Sequence, residues 1–502
     1  MADPQPNANS TGSSNGDLDR LLQRIDGLIS GGAEKNATTA GGSRAYSESA
    51  ARPVDRGDSM AVHSEKKATD FTPKLGNLTG DRDEPFIPRV PDSLEEAGLS
   101  EAMVEGLIIR FLMARGEGAG RAIAEQVKLP FLMIEPILNR LKYEQLTAYR
   151  GANSVNDYVH VLTEQGRERA RQLNLRTTYY GAAPVPLSQY CEAVKCQSVE
   201  SQNPRRDQLL QAFRDLLVDR KMLAKLGPAI NSGRGMFLFG YPGNGKTSIA
   251  ERVTLAFGKY IWIPRALLIE GEIMRLYDPL MHQPAVKEKE AGLLDVSGID
   301  SRWVRIKRPT IIAGGELTME MLEAQHDPKS NISESPLQLK SNCGVLVIDD
   351  FGRQKMRVDE LLNRWIVPLE KRYDFLNMNG GLKTQVPFDQ LVVFSTNLQP
   401  KDLVDDAFLR RIPYKIEVEN PSEAAFRKLF EIMCPIVGIP HEAKAVDYLI
   451  EKHYKPKGRP FRNCQPRDLL FQVRNYCLYH DEPLVLKPEY IDFACDTYFS
   501  IM

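Results

Sequence analysis

The chain has 502 residues, 65 Lys+Arg against 66 Asp+Glu, and a formal charge of −1. That length exceeds one compact core and implies two or three domains, and the charge balance argues against a surface that binds polyanions throughout. Seven cysteines at irregular spacing do not form a disulfide framework, and Cys191 and Cys196 lack a second pair at metal-site spacing. The polar start lacks an apolar signal region, and no stretch approaches a membrane span, so a soluble, cytoplasmic chain without membrane insertion is expected.

Residues 1–87 are rich in Gly, Ser, Asn and Ala and read as a disordered tail. Within it, Leu18, Leu21, Leu22, Ile25, Leu28 and Ile29 recur at helical spacing, so a short amphipathic helix is predicted near 17–30. Its apolar stripe reads as a docking segment for a partner, as intramolecular packing, or as chance.

Residues 88–173 change character. Ser100 can cap a helix carrying Met103, Leu107, Ile108, Phe111 and Leu112. A second short helix spans Gly120 to Val127, and a third begins at Pro130 with Ile134, Ile137, Leu138 and Leu141 at core spacing. Strands at 146–149 and 158–162 flank a turn, and helix resumes at Thr163. This order resembles a small winged helix-turn-helix domain. In that fold the third helix would read DNA, yet its first positions here are Pro130, Phe131, Leu132, Met133, Ile134 and Glu135, which supply no donors for phosphates or base edges. Protein docking is therefore favoured over DNA binding, with a regulatory lid as a third reading. Residues 174–205 read as an ordered linker.

From 206 the sequence carries chemistry. The apolar run Met236-Phe237-Leu238-Phe239 leads into Gly240-Tyr241-Pro242-Gly243-Asn244-Gly245-Lys246-Thr247, followed by helix-forming residues from Ser248. This is the strand–GxxxxGK[ST]–helix pattern, in which glycines let backbone N–H groups close on phosphates and the helix directs its positive end at them. Lys246 suits the outer phosphates of a nucleoside triphosphate, and the Thr247 hydroxyl suits Mg²⁺. Val345-Leu346-Val347-Ile348 ends in Asp349 and Asp350, the first placed to hold the metal and the second to polarise an attacking water. Leu391-Val392-Val393-Phe394 ends in Ser395-Thr396-Asn397, where Asn397 can orient that water. Arg410 and Arg411 precede the strand 414–418, and Gln465-Pro466-Arg467-Asp468 opens a late helix.

These elements resemble the AAA+ ATPases over roughly 206–502: a P-loop parallel-sheet α/β core at 206–420 and a helical lid at 421–502. The resemblance implies ATP and Mg²⁺ as ligands, Asn397 as sensor 1, Arg467 as sensor 2, and Arg411, with Arg410 as second choice, as a finger reaching a neighbouring subunit. It therefore implies a homo-oligomeric ring, most often a hexamer, that couples ATP hydrolysis to a macromolecular partner. The family usually has Glu at the second acidic position. With Asp350 the carboxylate sits about 1.5 Å further from the water, a displacement that can cost ~10²-fold in rate. Two rivals remain: a DNA-binding regulator or remodeller, and a slow or non-hydrolysing nucleotide-gated scaffold. The long stretch 270–343, with Arg302-Trp303-Val304-Arg305 and a Gly314-Gly315 turn expected to fold back a hairpin, is similar to the insertions of the MoxR, magnesium-chelatase and enhancer-activator branch. Its alternative reading has Trp303 in the core and the basic residues in solvent.

Overall fold

A computed structural model describes residues 85–152, 157–285, 298–379 and 381–500. Residues 1–84 of the expected tail, with its 17–30 helix, lie outside the described residues, whereas Phe86 at its end is not a free tail residue but packs against Trp303.

The central unit is built on five parallel strands in the order Thr310–Ala313, Val345–Ile348, Leu391–Thr396, Met236–Phe239, Tyr414–Glu417. The middle strands are continuous apolar runs because both faces are covered, and Val345 through Ile348 are all fully buried. Phe237, Phe351 and Phe394 pack ring against ring beneath the sheet's C-terminal edge. This parallel α/β arrangement is consistent with the P-loop AAA+ fold that the motifs resemble. The functional tips Gly240, Asp349 and Asn397 all follow the C-terminal ends of their strands, the edge where open α/β sheets bind ligands.

Helices Glu423–Val437, Ala443–Leu449, Gln465–Tyr479 and Pro488–Tyr498 surround a separate core of Phe426, Phe430, Leu449, Leu470, Val473 and Tyr490. Ser422 caps the first of them by accepting the Ala425 N–H.

At the N-terminal side, helices Glu101–Arg115, Gly120–Val127 and Phe131–Tyr143 pack on a three-stranded antiparallel sheet ordered Glu117–Ala119, Tyr158–Leu162, Thr147–Ala152. The helix Glu164–Asn174 closes the unit, with the Thr163 hydroxyl accepting from Gly166 N–H. The apolar core of this unit runs on into Ala266, Ile273 and Ile332 of a second five-stranded sheet. That sheet is ordered Gln325–Asp327, Ile332–Glu334, Glu272–Arg275, Ala266–Ile269, Val185–Pro186. Residues 174–205, expected to be a linker, thus supply one of its strands and the helix Leu187–Cys196, whose Tyr190 is buried.

Two features of the 270–343 stretch differ from expectation. Gly314-Gly315 does not turn back a hairpin: Thr310–Ala313 pairs in parallel at the edge of the main sheet, and a 3₁₀ turn at Met319–Leu322 follows. The β-branched run favours the strand, and the Glu316 carboxylate fixes the turn by accepting the Gly314 N–H at 2.9 Å. Trp303 is buried against Phe86, but two of the basic residues are buried with it. Arg302 pairs with Asp300 at 2.8 Å and donates to the Ala97 carbonyl, joining the insertion to the N-terminal unit. Arg308 donates to the carbonyls of Gln197 and Cys343.

Candidate nucleotide site

The glycine loop has the backbone its spacing requires. Gly240, Gly243 and Gly245 have φ of +139°, +82° and +85°, values that side-chain-bearing residues rarely adopt. At Gly240 a Cβ would lie 2.5 Å from the Val418 carbonyl oxygen, and at Gly243 2.5 Å from Cys464 Sγ. The helix Lys246–Val253 starts directly behind, with Gly245 as its cap.

Lys246 is buried, and its Nζ donates to the carbonyls of Gly240 (2.9 Å) and Tyr241 (3.1 Å) and to Asn397 Oδ1 (2.7 Å). Asn397 Nδ2 in turn donates to Asp350 Oδ1 at 3.1 Å. Thr247 Oγ1 donates to Asp349 Oδ2 at 2.8 Å, and Asp349 Oδ1 accepts the Asp350 N–H at 3.0 Å. The residues read separately as loop lysine, metal holders, base and sensor are thus linked by hydrogen bonds at one edge of the sheet. Ser248 sits half-buried in the first turn of the helix.

Asp350 has φ +47°, a left-handed conformation that Asp and Asn tolerate better than longer side chains. Its orientation is fixed from behind, where Phe351 N–H donates to the Ser395 carbonyl and the Thr396 hydroxyl donates to the Phe351 carbonyl. Gln354 Nε2 donates to the Asp349 carbonyl at 3.1 Å.

The electrostatics fit an anionic ligand. Burial holds the Lys246 pKa below its ordinary value, Asp349 and Asp350 work the other way, and the neighbouring Arg462 cation lowers it again. A cation short of solvation beside a second cation gains stability when a phosphate-like anion comes between them. The glycine cradle, which a Cβ would fill, leaves backbone room for it.

The late arginines fall in different places. Arg411 is largely covered, and its Nε donates to Glu370 at 2.7 Å on the helix Val358–Lys371. Arg410 is exposed. Arg467 is exposed and pairs with the adjacent Asp468 at 2.9 Å. The guanidinium that reaches the glycine loop is Arg462, which donates to the Pro242 carbonyl at 3.0 Å and lies 4.8 Å from the Tyr241 ring centre. Sequence reasoning missed Arg462, Asn463 and Cys464. The available signal was a polar run, Arg462-Asn463-Cys464, immediately before a helix that starts at Gln465.

Residues 422–497 match a protein family described as Domain of unknown function (DUF8689). No curated protein matches the chain. Among solved structures, a mutant of RuvB from Thermotoga maritima is 13% identical, with 56% of this chain and 71% of that chain covered and a TM-score of 0.33. A second, titled Thermotoga maritima RuvB Holliday junction branch migration motor, is 14% identical over 55% and 67% of the two chains, with a TM-score of 0.31. No helix among the described residues is long and apolar enough to cross a membrane.

Proposed function

We propose that this chain is an AAA+ ATPase that binds ATP with Mg²⁺ at Gly240–Ser248, hydrolyses it in a homo-oligomeric ring, and uses the cycle to remodel or regulate a protein partner. The observation that carries the reading is the linked set Lys246–Asn397–Asp350 and Thr247–Asp349 beside a positive-φ glycine loop. ATP would supply the phosphoanhydride to be cleaved. Thr247 and Asp349 would hold the cation, Lys246 would neutralise the outer phosphates, Asp350 would accept the proton of the attacking water, and Asn397 would orient it. Arg410, exposed, is better placed than the Glu370-bound Arg411 to reach a neighbouring subunit. Arg467 keeps the sensor 2 role by resemblance, and a place near the MoxR, magnesium-chelatase and enhancer-activator branch rests on resemblance alone, without the hairpin expected at Gly314-Gly315.

The N-terminal unit, read as a winged helix, is better suited to protein than to duplex DNA. On its third helix Arg140 pairs with Glu101, Glu105 and Glu144. Lys142 lies over the Tyr149 ring at 3.7 Å. Leu132 and Tyr143, 80% and 89% exposed, present apolar surface instead. A specific observation also favours slow turnover: the short Asp350 side chain is fixed by Asn397 and by its left-handed backbone.

The reading is tested by phosphate release from Mg·ATP by the full chain. Wild type should release phosphate and Lys246→Ala should not. Equal release by both would end the proposal, whereas nucleotide binding without release would favour the scaffold.

A further inference from the structure

Three consecutive carbonyls of the glycine loop are taken by one short segment of the C-terminal helical unit. Arg462 Nη1 donates to the Pro242 carbonyl at 3.0 Å, the Cys464 N–H to the Gly243 carbonyl at 2.9 Å, and Asn463 Nδ2 to the Asn244 carbonyl at 3.0 Å. The Asn463 N–H also points to Asn244 Oδ1 at 3.4 Å. In a loop this tight the peptide planes have limited freedom. Carbonyls bonded outward leave the amide N–H groups on the opposite side, where an anion is held.

The segment is itself set rigidly. Gln465, buried at the start of its helix, accepts both the Arg462 N–H (2.9 Å) and the Tyr454 hydroxyl (3.0 Å) at Oε1. Asn244 is the point where three parts of the chain meet. Its side chain is 1% exposed, and its Nδ2 donates to Asn420 Oδ1 at 2.8 Å, with the Glu419 and Val418 carbonyls at 3.4 and 3.5 Å. Residues 418–420 are the connection from the last strand of the sheet into the helical unit. One loop residue therefore touches both the connection into that unit and the segment by which it returns.

We infer that Asn463 is a positioning residue for the nucleotide. It acts through the Asn244 carbonyl to hold the glycine loop in its anion-binding form, so the docking of the helical unit and nucleotide affinity are one coupled equilibrium. This rests on the nucleotide reading above and adds a route that needs no contact between the helical unit and the phosphates. Because coupling is reciprocal, a ligand that stabilises the loop must stabilise the 462–464 docking, and loss of the docking must weaken the ligand by the same factor.

The test uses the full chain, a non-hydrolysable Mg·ATP analogue, and hydrogen exchange read by mass spectrometry alongside equilibrium titration. In wild type, saturation with the analogue should slow amide exchange across 459–464. Asn463→Ala should bind the analogue roughly 2- to 10-fold more weakly, the range expected for one net hydrogen bond, and should lose the ligand-induced slowing at 459–464. Asn463→Asp, which keeps the shape and removes the donor, should lose at least as much. If wild type binds the analogue with no change in exchange at 459–464, the inference is overturned whatever the variants do. Wild-type affinity and protection in a folded Asn463→Ala also overturn it, leaving the nucleotide reading intact. If wild type does not bind the analogue, that reading falls and the inference with it.

Discussion

Asp350→Asn separates chemistry from architecture at the site. Position 350 has φ +47°, which Asn adopts as readily as Asp, and an Asn Oδ1 can still accept the Asn397 Nδ2 that now lies 3.1 Å away. The fold and the nucleotide affinity should therefore change little. What is lost is a carboxylate able to take a proton, and general-base catalysis contributes ~10²–10⁴ in rate, or about 3–5 kcal/mol of barrier. Single-turnover phosphate release, with protein in excess over Mg·ATP, reads that step directly, and a parallel titration reads affinity. The expected result is hydrolysis slower by at least ~10² with affinity within about twofold. Asp350→Glu supplies the family's usual side chain but places an ordinary residue in a left-handed backbone, at roughly 1–2 kcal/mol of strain. It should lower thermal stability while retaining some turnover. Wild-type turnover in Asp350→Asn would refute the assignment of the base. Lost nucleotide binding would show that the carboxylate acts on the ligand rather than on the water.

Three further outcomes are expected. Gly243→Ala should destabilise the chain more than Gly245→Ala, because both have positive φ but only the first brings a Cβ to 2.5 Å from Cys464 Sγ; equal melting temperatures for the two would remove the close contact from the account. Arg302→Ala should cost about 3–5 kcal/mol in denaturant titrations by leaving Asp300 buried without its partner, and Asp300→Ala in the same chain should recover part of it; a cost under ~1 kcal/mol would contradict the role given to this pair. Arg410→Ala should keep nucleotide binding, lose hydrolysis and be partly rescued by mixing with Lys246→Ala chains, whereas Arg411→Ala should mainly lower stability by releasing Glu370; mixtures that never regain activity would argue against a finger acting between subunits.

The parts of the fold that were legible in the sequence are those whose determinants are local. Val345–Ile348 and Leu391–Thr396 announce buried parallel strands because each is an unbroken apolar run, and their polar tips sit next to them in the chain. The glycine loop is legible because its spacing and its backbone requirement coincide. The second sheet is not. Val185–Pro186 is two residues long, and Ile332–Glu334 finds its partner in Glu272–Arg275, so no periodicity marks either. Arg302 and Arg308 read as solvent-facing because the groups that satisfy them, Asp300, Ala97, Gln197 and Cys343, become neighbours only through folding. Arg467 matches a motif position and Arg462 matches none, so the sequence favours Arg467. The chain's own geometry turns Arg467 toward Asp468 and Arg462 toward the loop.

Nucleotide binding at Lys246 is measured most directly by equilibrium titration of Mg·ATP into this chain and its Lys246→Ala variant. Wild type should bind with a defined stoichiometry. The variant, which loses the buried cation bonded to Gly240, Tyr241 and Asn397, should bind roughly 10- to 10²-fold more weakly, since hydrogen bonds to a charged group are worth about 1.5–3 kcal/mol. Equal affinity in the two proteins, or no binding by wild type, would contradict the central claim.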